Sequence, residues 1–257
     1  MIAADILKLR RHRPTMATAA VLSIGITALY LAVIVARHNG QLPGTQILAD
    51  GTSLMGLYFG SFAAILIGTE AGTIDLASGV FRDLAATGRS RATLFLTRVP
   101  AAVAVALVFT LSGFLLTVAA AFAFHGSAPA PGASLIFESA GWVVLATAVV
   151  TTLAVGVGSF TGSRPITLIL IIGWETIATG IVYLAAFLGA ARDLVLLIAL
   201  SRLLPEPAIG TRAHPGSTNA LNNYKLPMPA AVAVLVILAW VLIPVAVGVW
   251  RTMTRDA

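Results

Sequence analysis

The sequence predicts an all-α membrane protein with six transmembrane helices. Of its 257 residues, 58% are hydrophobic and only 10% are charged, whereas soluble domains carry roughly 25% charged residues. The mean hydropathy is +0.96, and six apolar stretches are each long enough to cross about 30 Å of hydrocarbon. The chain has no cysteine, which excludes disulfides and thiolate metal sites.

The six apolar stretches define the predicted spans, and no internal repeat divides them. They cover residues 16–36, 53–74, 99–124, 138–160, 165–188 and 230–250. We therefore expect a single transmembrane domain over residues 1–257.

Residues 1–15 predict an amphipathic elbow helix that precedes the first span. One helical face carries Ile2, Ile6 and Leu9, and the other positions carry Lys8, Arg10, Arg11 and Arg13. Such a helix lies flat at the headgroups with its cations near anionic lipid, and Pro14 suits the first turn of the next helix. A signal peptide is the alternative, since basic residues precede an apolar run; the length of that run and the five later spans disfavour it.

The basic residues predict the orientation. With the N-terminus inside, eleven of the sixteen lysines and arginines fall on the inner side: Lys8, Arg10, Arg11, Arg13, Arg82, Arg89, Arg91, Arg98, Arg164, Arg251 and Arg255. The positive-inside rule then places both termini in the cytoplasm. Abundant arginine and alanine indicate a bacterial gene, so we expect a multi-pass protein of the bacterial cell (inner or plasma) membrane.

The second predicted span carries a small residue at every fourth position, which lets helix backbones approach closely in lipid. These helix-packing residues are Gly56, Gly60, Ala64, Gly68 and Gly72. Chance is the alternative, because the chain has 23 glycines. The pattern leaves open whether the neighbouring helix belongs to the same chain.

Between the last two spans, residues 189–229 predict a long extracellular loop. It starts with an apolar piece, residues 194–204, that is too short to cross the bilayer and is typical of a re-entrant or interfacial helix. Prolines, glycines and asparagines follow, as in a loop. We expect the apolar piece to pack over the outer mouth of the bundle, because backbone at membrane depth must be shielded by protein.

No enzyme motif is present, so we expect no catalytic residue, no metal site and no cofactor in this chain. The sequence lacks a G-x-x-x-x-G-K-[ST] phosphate loop, an H-E-x-x-H helix and a G-x-S-x-G elbow. The net charge of +6 comes without a basic patch interleaved with aromatics, and we expect no nucleic-acid partner. It fits the loop bias of a membrane protein.

Glu175 is the one acid deep inside a predicted span, where a charge is costly and usually marks a pathway. With Trp174 it is a candidate for the substrate path. The alternative is a protonated or hydrogen-bonded glutamate that only fixes helix packing.

The segment 75–98, between the second and third spans, predicts a short amphipathic helix at the membrane surface. Leu76, Val80 and Leu84 form its apolar face, whereas Asp75, Ser78, Arg82 and Asp83 are polar. Gly88 suits a helix stop, and Ser90 suits the cap of the third span. An ordinary inner loop is the alternative.

These motifs resemble permease subunits of the type-2 ATP-binding-cassette transporter family. The resemblance rests on Glu70-Ala71-Gly72-Thr73, on Leu84-Ala85-Ala86-Thr87-Gly88-Arg89-Ser90-Arg91, on the base Arg98 and on the elbow-like Asp5-Ile6-Leu7-Lys8-Leu9-Arg10-Arg11. Six spans and a long loop before the last one agree with it over the whole chain. The chain departs in having Gly88 where proline is common, and in the charges Asp75, Arg82 and Asp83.

The resemblance implies a dimer of permeases, identical or different, that docks two separate ATP-binding subunits. Those subunits bind ATP and Mg, and the helix at residues 75–87 couples their motion to the spans, with substrate usually exported. The implied coupling residues are Glu70, Gly72, Thr73, Asp75, Arg82, Asp83, Arg89 and Arg91. A non-transporting sensor or immunity module remains an alternative, as does, less favoured, an intramembrane enzyme. A secondary transporter is disfavoured because inverted repeats and several buried charges are missing.

Overall fold

The computed structural model describes residues 1–37, 42–77, 90–205 and 228–254. Six helices in these ranges are long and apolar enough to cross a membrane, which confirms the prediction of a helical, multi-pass membrane protein. The described residues contain no β-strand. The predictions that concern Arg82, Asp83 and Arg89, and those for residues 206–227, lie outside the described residues.

The chain begins with an N-terminal helix, Ile2–Arg11, and continues directly into the first span. We number the spans in chain order: span 1 Arg13–Arg37, span 2 Gly44–Asp75, span 3 Arg91–Ala123, span 4 Ala133–Thr161, span 5 Arg164–Val182 and span 6 Ala230–Thr254. Between spans 5 and 6 lie a 3₁₀ segment, Ala186–Leu194, and a short helix, Leu196–Arg202.

Span 2 is longer than the sequence predicts and is broken in its middle. It starts at Gly44 rather than at residue 53, and Tyr58 (φ −127°, ψ −107°) separates helix Gly44–Leu57 from helix Phe59–Ala77. The early part was missed because Asp50 and other polar residues lower its hydropathy. The Asp50 side chain is half-buried and hydrogen-bonded, since the Tyr30 hydroxyl donates a hydrogen bond of 2.9 Å to its Oδ2.

Span 3 begins at Arg91, eight residues before its apolar run at Val99. The Ser90 hydroxyl accepts a hydrogen bond of 3.2 Å from the Thr93 backbone N–H. This satisfies one of the free donors at the helix start and confirms the predicted cap. The first eight residues of span 3, which include Arg91 and Arg98, therefore precede its apolar run.

Spans 2 and 4 form the centre of the bundle. In each of these two spans, 72% of the apolar 18-residue stretch is buried inside the bundle. In the other four spans the buried share of that stretch is 18% to 44%. Close contact depends on glycine, because a Cβ at Gly72 would lie 2.6 Å from the carbonyl oxygen of Val155 and one at Gly68 would lie 2.5 Å from that of Thr151. The neighbour of this half of span 2 is thus span 4 of the same chain.

The short helix Leu196–Arg202 is buried against the end of the bundle where span 4 begins. The Trp142 indole N–H of span 4 donates a hydrogen bond of 3.0 Å to the carbonyl of Leu200. The Trp142 ring occupies the space above Gly56, where any side chain would overlap it. Shielding of this kind is what a short apolar helix at membrane depth requires.

Candidate functional site

Two buried acids, Glu70 and Asp75, lie near the end of span 2. Their exposed fractions are 4% and 3%. A buried carboxylate is stable only if it is paired or hydrogen-bonded, so the groups around these two acids define the site. We call the end of the bundle that holds Glu70, Asp75, Arg98 and Arg164 the charged end.

Glu70 is held by three elements besides its own. The Arg164 guanidinium of span 5 lies 3.0 Å from its Oε2, and His12 Nδ1 lies 3.1 Å from its Oε1. The Thr15 hydroxyl at the start of span 1 donates a hydrogen bond of 3.0 Å to Oε2, and Arg164 in turn donates one of 3.2 Å to Thr15. One carboxylate therefore joins the start of span 5 to the junction between the N-terminal helix and span 1.

Asp75 pairs with two cations that belong to different helices. Arg98 Nη2 of span 3 lies 2.7 Å from its Oδ2, and the Lys8 amine of the N-terminal helix pairs with its Oδ1. Burial lowers the pKa of the Lys8 amine, the Arg98 guanidinium lowers it further, and Asp5 raises it. Asp75 and Asp5 are the two carboxylates beside which these cations approach each other.

Backbone packing and a turn fix the positions of these side chains. The Ser159 hydroxyl of span 4 donates a hydrogen bond of 3.3 Å to the Gly72 carbonyl, which holds the end of span 2 on span 4. Gly162 (φ +67°) then ends span 4 in the left-handed conformation that favours glycine. The chain reverses there, and Arg164 starts span 5 beside Glu70.

No protein-family model, curated protein or solved structure matches this chain. The geometry of the charged end is therefore what indicates its role. Each pair joins side chains on different helices, so a shift at the end of span 2 changes contacts with the N-terminal helix and with spans 1, 3 and 5. Among the described residues, no three His, Asp or Glu side chains are grouped to hold a metal ion.

The other predicted coupling residues divide into three groups. Gly72 and Thr73 are buried within span 2, and the Thr73 hydroxyl donates 2.8 Å to the Thr69 carbonyl of its own helix. Arg91 starts span 3, and its guanidinium lies 3.5 Å from the Met253 carbonyl of span 6. Arg82, Asp83 and Arg89 fall outside the described residues.

The predicted substrate-path residues lie away from the charged end. Glu175 is eleven positions after Arg164 along span 5, or about 16 Å at the rise of an α-helix. It sits in a π-helical turn, Trp174–Ala178, and none of the described residues hydrogen-bonds its buried Oε1. The Trp174 ring, 38% exposed, packs at 5.9 Å from the Trp240 ring of span 6.

Sequence reasoning named both acids but did not identify the individual side chains that pair with them. His12, Thr15 and Arg164 carry no motif, and their meeting with Glu70 depends on how distant helices pack. One signal was available: an acid near a membrane interior needs a partner, and basic residues stand at the same predicted end of spans 1, 3 and 5. Asp50 was missed as a second acid within a span.

Proposed function

We propose that this chain is the membrane-spanning permease subunit of an ATP-binding-cassette transporter, an exporter that forms its substrate path as a dimer. The observation that supports this is the charged end. Two buried acids at the tip of span 2, where the predicted coupling segment begins, pair with cations from three other segments: the N-terminal helix, span 3 and span 5.

A force applied just beyond Ala77 acts directly on Asp75 and, through one and a half helical turns, on Glu70. A buried carboxylate is stable only with its partners, so separating the tip of span 2 from them is costly. Movement of the tip is therefore coupled to the N-terminal helix, span 3 and span 5. A partner that contacts the predicted coupling segment beyond Ala77 differently in two of its states therefore shifts the balance between two arrangements of the bundle.

The energy source in this proposal is outside the chain, since the sequence has no phosphate loop. Two separate ATP-binding subunits bind ATP and Mg. They contact Arg82, Asp83 and Arg89, while Glu70, Gly72, Thr73, Asp75 and Arg91 transmit the movement. Both termini then lie in the cytoplasm of a bacterial cell, with the charged end facing the ATP-binding subunits.

Glu175 is the proposed polar group of the substrate path, with Trp174 beside it. A π-helical turn is a frequent feature of functional sites, and it interrupts span 5 at this acid. A Glu175→Gln variant tests the role: it should lower transport and remove part of its pH dependence. Unaltered transport with an unaltered pH profile would assign Glu175 to helix packing.

The central experiment is to purify the tagged chain from its own membrane and to test whether an ATP-binding subunit accompanies it. We expect the two to copurify, and ATP turnover to rise in the complex relative to the isolated ATP-binding subunit. Arg82→Ala with Asp83→Ala should weaken copurification or lower the stimulated turnover.

Arg37→Ala is the matched control, because Arg37 is an exposed arginine at the opposite end of span 1. The proposal fails if the Arg82 and Asp83 variant assembles and turns over ATP as the unaltered chain does. A complex that turns over ATP but moves no substrate in vesicles would favour the sensor or immunity module instead.

A further inference from the structure

A groove of about 510 Å³ lies between the N-terminal helix and span 3, beside the first turn of span 1. Its size falls within the roughly 300–1,000 Å³ of small-molecule sites. The described side chains that line it are apolar with one exception, and they include Ile6, Met16, Val105, Val108, Phe109 and the cation Arg10.

Residues of the N-terminal helix make two sets of contacts, one with span 2 and one along the groove. Lys8 and Leu9 point toward span 2, where Lys8 pairs with Asp75 and Leu9 is only 2% exposed. Ile6 and Arg10 are one helical turn apart, and both line the groove. Anchoring through Lys8 and Leu9 holds the helix across span 3, so the groove is a built feature of the fold.

The groove combines an apolar wall with a positive charge at the membrane surface. Val108 is 63% exposed on span 3. Arg10 is exposed, and no residue that the structure describes forms an ion pair with it. With Lys8, Arg11 and Arg13 it forms a basic stretch of the kind that attracts anionic lipid headgroups.

A lipid fits this combination better than another copy of the chain does. A twofold contact centred on the groove would place the same cations of two copies side by side, and like charges repel. A lipid instead brings a hydrocarbon tail to the apolar wall and a negative headgroup to Arg10.

We propose that this groove binds one anionic phospholipid, with its acyl chain along span 3 and its phosphate paired with Arg10. The site depends only on the N-terminal helix, the first turn of span 1 and span 3. It therefore stands whether or not the chain works as a transporter subunit.

The test is lipid retention by the full chain after reconstitution in vesicles that hold equal amounts of phosphatidylglycerol and phosphatidylcholine. The chain is extracted in mild detergent, and bound lipid is counted by native mass spectrometry. We expect one retained phosphatidylglycerol. Arg10→Gln should lower the ratio of retained phosphatidylglycerol to phosphatidylcholine about fivefold, the equivalent of roughly 1 kcal/mol per arginine at the membrane surface.

Matched variants separate the site from general attraction. Arg11→Gln removes another exposed cation of the same helix, and Leu235→Trp enlarges an exposed side chain of span 6 that does not line the groove. Both should retain the lipid, whereas Val108→Trp should lose it by filling the groove. Equal losses for Arg10→Gln and Arg11→Gln, retention of lipid by Val108→Trp, or disulfide cross-linking of Ala104→Cys copies would each overturn the proposal.

Discussion

Removing the charge of Asp75 should destabilise the bundle because the buried Arg98 guanidinium loses an ion-pair partner. The Arg98 side chain is 5% exposed and that of Asp75 is 4% exposed, with 2.7 Å between Nη2 and Oδ2. Asp75→Asn keeps the shape of the side chain and removes only its charge. The second cation, Lys8, is 35% exposed, so it can turn to water when its partner is lost.

Two contributions set the size of the effect. Removing one member of a buried ion pair costs about 3–5 kcal/mol, because the other charge remains buried and uncompensated. A partly exposed pair such as Lys8–Asp75 contributes only about 0–1 kcal/mol after solvent screening. We therefore expect Asp75→Asn to lower the free energy of unfolding by about 3 kcal/mol, the lower end of that range, because the Asp5 carboxylate still acts on the Arg98 guanidinium.

The assay is reversible unfolding of the purified chain by sodium dodecyl sulfate, followed by helical circular dichroism. Glu138→Gln, at an exposed acid of span 4, is the control and should change stability by less than about 0.5 kcal/mol. Asp75→Asn with Arg98→Gln should be more stable than the sum of the single changes implies, by about 0.5–3 kcal/mol. A loss below about 1 kcal/mol for Asp75→Asn, or strict additivity in the double variant, would refute the reasoning.

Two further substitutions, Gly72→Ala and Trp142→Phe, test how span 4 holds its neighbours. Gly72→Ala should lower stability by about 1–3 kcal/mol through overpacking against the Val155 carbonyl, measured by the same unfolding titration. Gly141→Ala should be neutral or stabilising, since a Cβ there meets nothing within 4 Å. Trp142→Phe removes the hydrogen bond to the Leu200 carbonyl and should cost about 0.5–1.5 kcal/mol. Hydrogen exchange should rise in the short helix Leu196–Arg202, and unchanged exchange there would contradict its attachment through this bond.

The sequence by itself determined the fold class and the existence of all six spans. Hydropathy is a local property, and the thickness of the hydrocarbon sets the length that each apolar stretch must reach. The cap at Ser90 was also predictable, because a cap involves only residues within one turn. The start of span 2 could not be predicted in this way, because Asp50 interrupts the apolar pattern and its partner Tyr30 comes from another helix.

Only the tertiary structure decided which charges meet at the charged end. The sequence placed Glu70, Asp75, Arg98 and Arg164 on one side of the membrane, but basic residues outnumber the acids and several pairings satisfied the same rule. The observed pairing follows from the close contact of spans 2 and 4 at Gly72, which sets the rotation of span 2. Rotation of a helix about its axis decides which residue each side chain faces, and it results from packing between segments distant in the chain.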